Sequence, residues 1–107
     1  MKIDSSSLTQ IIEQCFAYSM DGRFTPAQQN QFLTLGKILR AKLTLLLGAI
    51  FNAGTPAVMT ANTDIATMNA YLTNAGQVLA NSAATLNNIT QLVGLLDQTL
   101  SLAAKIV

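Results

Sequence analysis

The side chains that could do chemistry are few. Histidine, the commonest general base and metal ligand, does not occur in the 107 residues. The single cysteine, Cys15, cannot close an intramolecular disulfide and has no basic residue within a helical turn to stabilise a thiolate. Its place on an apolar stripe reads as a buried core thiol. The five acids, Asp4, Glu13, Asp21, Asp64 and Asp97, are scattered, and no two stand three or four apart, the spacing that brings carboxylates together on one helix. A carboxylate pair for acid–base work, or a two-metal site, is therefore not expected.

One segment comes closer. Ser19 to Gln28, with Asp21, Gly22, Phe24 and Thr25, resembles the second half of an EF-hand calcium loop. If Gly22 is that loop's glycine, Ala17 and Gln28 occupy its first and twelfth positions, where calcium binding needs carboxylates. A helix stop followed by a capped helix start explains the same letters, so no metal and no other cofactor is expected. Arg23, Lys37, Arg40 and Lys42 form the one basic cluster, but positions 37, 40 and 42 do not share a narrow helical face. They read as a solvated flank. A net charge of +1 with 10% charged residues lacks the basic face of a nucleic-acid binder. There is no glycine-rich phosphate loop or aromatic stacking platform either. The inventory points away from an enzyme.

The elements that must carry these residues are helices. Half the chain is apolar, enough for one core, and 107 residues suit a single helical domain, 1–107. Apolar Leu8, Ile11, Ile12, Cys15, Phe16 and Met20 recur every three or four residues, which predicts a helix over about 5–20, with Ser7 and Gln10 at capping-box spacing. Thr25, Pro26 and Gln28 combine an N-cap, a proline at the first helical position and a capping-box partner, so a second helix starts at Pro26. Its seam of Phe32, Gly36, Leu39, Leu43, Leu46, Ile50 and Ala53 predicts a run over 26–53, closed by a left-handed Gly54. Thr55 and Pro56 repeat the start signal, and so short a connection predicts that the second and third helices form an antiparallel hairpin.

From Val58 an unbroken heptad runs through Ile65, Leu72, Leu79, Leu86, Val93 and Leu100 to Val107. Its second position includes Ala61, Met68, Ile89, Leu96 and Ala103. Residues 56–107 are read as one helix of about 75 Å at 1.5 Å per residue, or as two broken near Asn88, where Asn88 and Gln91 stand at capping distance. The fold class is all-α: an antiparallel hairpin or bundle of three or four helices with coiled-coil-like packing. On the continuous reading the C-terminal half needs cover from the first helix or from another chain.

Surface composition bears on partners. Charged residues make up 10% against a usual value of about 25%, and none occurs from Ile65 to Leu96. A helical surface so poor in charge suggests cover by a partner. The expected interface is Val58, Ile65, Leu72, Leu79, Leu86, Ile89, Val93, Leu96 and Leu100, and the expected partner is another copy of the chain, in an oligomer or filament. The alternative is a small helical module, a chaperone or neutralising partner, that covers another protein's apolar face. A third reading is a membrane-active helical protein with a basic rim and an apolar face, although Leu43–Phe51 is about half the length that a bilayer span needs. The start, with Lys2, Asp4 and three serines, has no signal-peptide core, so cytoplasmic residence is the default and leaderless secretion stays open.

Two phrases, Gln77–Ala83 (QVLANSA) and Pro56–Met59 (PAVM), are similar to phrases in the proteins of bacterial R-bodies, which are coiled protein ribbons. They span about a tenth of the chain, and a likeness of that length assigns no family. The composition and helical plan also look like those of small secreted filament subunits of bacteria.

Overall fold

A computed structural model describes residues 2–51 and 56–103, whose fold is all-helical, with five helices packed compactly. Helix α1 spans Ser5–Ser19. Its start is capped by Asp4, whose carboxylate accepts from the Ser7 amide at 3.1 Å, and not by the Ser7–Gln10 box that spacing suggests. Asp4 wins because an ionised oxygen at the N-cap meets both the orphan amides and the positive end of the helix. Helix α2, Pro26–Leu47, begins as expected: Thr25 and Gln28 form a reciprocal capping box, each bond 3.1 Å long. It ends earlier than its seam suggests, at a Gly48 in ordinary right-handed conformation. The expected cap residues Gly54 and Thr55 lie outside the described residues, as does Val107.

The long heptad segment is not one helix, and its break is not at Asn88. Helix α3 covers Pro56–Leu72, a short α4 covers Ala75–Ala80, and α5 covers Ser82–Ser101 with Asn88 well inside it. The chain turns at Thr73 because Asn74 caps α4, its side chain accepting from the Gln77 amide at 3.1 Å. The Leu72 carbonyl, which a continuing helix would have bonded internally, accepts instead from the Tyr18 hydroxyl. Principal extents of 47 × 21 × 19 Å leave no room for a 75 Å rod.

Polar contacts between helices fix their directions. Asp4 N donates to Asn62 Oδ1 near the starts of α1 and α3, and Tyr18 reaches Leu72 at their ends, so these two run parallel. Gln28 Nε2 donates to Ser82 Oγ at 2.7 Å and Lys42 pairs with Asp97 at 2.6 Å, which makes α2 and α5 parallel. Helix α1 packs on α2 and α3, α5 packs on the same two, and α4 lies between α3 and α5. Among the described residues α2 and α3 do not pack on one another, so the expected pairing across the short connection is not found. The reason is chain length. With α2 stopping at Leu47, residues 48–55 separate it from Pro56, and at roughly 3.3 Å per extended residue that is enough to cross the end of the molecule.

The core joins all five helices. Leu8, Ile11, Phe32, Leu39, Ile65 and Leu92 are fully buried, and Val78 brings α4 into the same cluster. Helices α1 and α2 approach closely at Gly36, where an added Cβ would stand 2.9 Å from Phe16 Cε1 and 3.3 Å from Cys15 Cβ.

Candidate interaction surface

The nine residues expected to form an interface face the chain's own core. Val58, Ile65, Leu72, Leu86, Ile89 and Leu96 are buried, and Leu79, Val93 and Leu100 are partly buried against the same cluster. On both sides of the turn at Thr73, α3, α4 and α5 each turn one face into a common interior. The structure brings these residues together, but against α1 and α2.

What remains outside among the described residues is a different apolar set: Met20, Ile38, Leu45, Leu47, Ile50, Met59 and Leu102. Five of them share one end of the molecule. Leu45, Leu47 and Ile50 sit at the close of α2, Met59 in the first turn of α3, and Leu102 just past α5. The contrast with the interior is sharp at adjacent positions, Leu46 being 4% exposed and Leu47 67%. Next to them Ile3, Leu43, Leu46, Ala49 and Phe51 help line a hollow of about 240 Å³.

A second outward feature runs along α2. Thr34, Ile38, Ala41 and Leu45, spaced four, three and four, are all exposed on the side away from the buried Phe32, Gly36, Leu39 and Leu46. This repeat is present in the sequence but is masked there by the larger leucines of the inner seam. Between α2 and α5 lies an open groove of about 460 Å³, with Leu35 and Leu86 among its lining and Asn30, Gln31, Thr34 and Asn87 beside them.

The charged residues are mostly engaged locally. Arg23 holds Asp21 through three side-chain bonds, the shortest 2.7 Å, and this hydrogen bonding lowers the Asp21 carboxyl to about 2. Gln29 donates to the Asp21 carbonyl, and Gln28 is occupied by Thr25 and Ser82, so the segment that resembles a calcium loop is a helix stop followed by a capped start. Lys42 pairs with Asp97, and Asp4 caps α1. Lys2, Glu13, Lys37, Arg40 and Asp64 have no ion-pair partner among the described residues. The Arg40 guanidinium stands 5.5 Å from the Phe16 ring centre, a cation–π contact.

Cys15 is fully buried, and desolvation pushes its thiol up to about 12, the reverse of an activated nucleophile. Among the described residues no three of Cys, Asp or Glu gather as metal ligands, and no helix is long and apolar enough to cross a membrane. Sequence reasoning also missed the amide contacts between α1 and α3. Asn62 accepts from the Asp4 amide at 2.7 Å, and Asn69 Nδ2 donates to Gln10 Oε1 at 2.6 Å. Asn62 and Asn69 stand seven apart, and that spacing was the available signal. Compared with known proteins, the chain matches no family model, no curated protein and no solved structure, so its own surface is the ground for a functional reading.

Proposed function

We propose that this chain is a non-catalytic structural protein, a bundle of four long helices with coiled-coil-like seams, that associates with further copies of itself. The supporting observation is the outward apolar set, five of whose seven members share one end of the molecule. Apolar residues scattered singly are ordinary on a protein surface, whereas their concentration marks a contact. The residues first expected to form the interface are buried or partly buried within the chain, so association uses this second surface. Sedimentation velocity over a wide concentration range, joined to electron microscopy, tests the reading. Oligomers or filaments that grow with concentration are expected, and a monomer at every concentration would overturn it.

The groove between α2 and α5 favours a second reading, a binding module for a helix or peptide of another protein. Leucines flanked by amides and hydroxyls are suited to an apolar helix edge with a neutral polar border. A monomer that retains a defined helical partner through this groove would support that alternative.

A further inference from the structure

Resting on the self-association reading, we infer its direction: the outer face of α2 in one copy docks on the outer face of α3 in the next, and like faces do not meet. Charge complementarity laid over an apolar stripe sets this direction. The 22 residues of α2 contain no acid and three cations, Lys37, Arg40 and Lys42. Lys42 is held by Asp97 of the same chain. Lys37 and Arg40 have no carboxylate partner among the described residues, and they accompany the exposed knobs Ile38 and Leu45, seven residues apart.

Two such faces brought together would set Lys37 and Arg40 of one copy against their equivalents in the other. Uncompensated like charge at a contact disfavours that pairing. The complementary face is on α3. Its single charged residue, Asp64, lines an outward hollow of about 360 Å³ together with Met59, Thr60, Thr63 and Thr67. Of the described charges without an ion-pair partner, Lys37 and Arg40 belong to α2 and Asp64 to α3, while Lys2, Asp4 and Glu13 lie on or just before α1. Because α2 and α3 do not touch within a copy, both faces stay available at once. A contact of unlike faces leaves one free at each end of any dimer, so growth continues into a ring or an open chain.

The test uses the full chain in low salt. One variant carries Lys37→Glu with Arg40→Glu, the other Asp64→Lys, and circular dichroism checks that each stays folded. Lys37→Glu alone replaces the first variant if loss of the Arg40–Phe16 contact unfolds it. Each variant alone should associate roughly tenfold more weakly than the native chain. An equimolar mixture should recover association, since the acidic α2 of one meets the basic α3 face of the other. If the native chain associates and neither variant differs from it, the docking direction is wrong while self-association stands. The direction is equally wrong if only the α2 variant is affected. A native chain that stays monomeric overturns both the direction and self-association. A monomer that floats with phosphatidylserine vesicles, and loses them on Lys37→Glu, overturns both in favour of a membrane surface.

Discussion

The two ends of the molecule are built on different principles. At one end, where α1 finishes and α2 begins, Tyr18, Phe24 and Phe32 form a three-ring cluster with centroids 5.0–5.4 Å apart. All three rings are buried, the Thr25–Gln28 box caps α2, and Arg23 clamps Asp21 across the turn. At the other end, where α2 and α5 finish and α3 begins, Leu45, Leu47, Ile50, Met59 and Leu102 face outward. The aromatic end satisfies itself within one chain. The leucine-rich end presents apolar area that one chain does not cover, which is why the proposed function is placed on the outside of the fold.

The largest expected effect tests whether the interior beneath the leucine-rich end is as tightly closed as its counterpart. Leu96 is fully buried between α5 and its neighbours. From sequence alone, Leu96→Asp would break an oligomer before the fold, but an unpaired buried charge costs several kcal/mol against a total stability of about 5–15 kcal/mol. The variant is therefore expected to lose its helical circular dichroism signal at room temperature. A folded monomer would show that this region tolerates water. Next in size, Phe32→Ala should cost about 3–5 kcal/mol in chemical denaturation, while Leu47→Ala should stay within about 0.5 kcal/mol. Equal losses would erase the distinction between the ends.

Tyr18→Phe isolates one bond. It leaves the ring in place and orphans the Leu72 carbonyl, so a loss of about 1–3 kcal/mol is expected. The alkaline limb of stability should also report on the aromatic end. Burial raises Cys15 from 9.0 to about 12, and burial raises Tyr18 as well. The folded chain therefore holds these protons where the unfolded chain releases them. Their contribution is complete below the unfolded values and is lost as pH rises above 9.0, at no more than about 1.4 kcal/mol per unit for each group. Denaturation midpoints that do not fall between about pH 8 and 10 would contradict this burial. Smallest is Asp21→Asn. Its lowered carboxyl contributes above the ordinary value of 3.8 and loses that contribution as pH falls toward 2. The side chain lies at an exposed turn, so the variant should flatten only the acid limb of the same curve.

How much of this was legible depended on whether a signal had a rival. Thr25, Pro26 and Gln28 offer one consistent start, and α2 begins there. The all-helical class follows from periodicity in the same way, but the residues expected to meet another copy are turned onto the chain's own core. The turn at Thr73 is hidden because neither proline nor a left-handed glycine marks it. Asn74 with Gln77 and Asn88 with Gln91 look alike as caps, and only Tyr18, 54 positions away in sequence, is there to take the freed Leu72 carbonyl. The early stop at Leu47 is hidden by further apolar residues in phase beyond it. Of the interaction surface, the outer repeat on α2 is written in the sequence, but telling inner from outer requires knowing which face α1 and α5 cover.

The crossing from α2 to α3 also bears on how fast the chain finds its structure. Helices α1 and α2 are neighbours in sequence and pack on each other, as do α3, α4 and α5. Each group therefore forms by closing a short loop, at little entropic cost. The parallel pairs, α1 with α3 and α2 with α5, span longer separations and gain their contacts only when both groups are in place. A topology so weighted toward local contacts belongs with helical domains that fold in microseconds to milliseconds. The chain would then expose its inner leucines only briefly after each unfolding event, leaving the outer ones as the lasting adhesive surface.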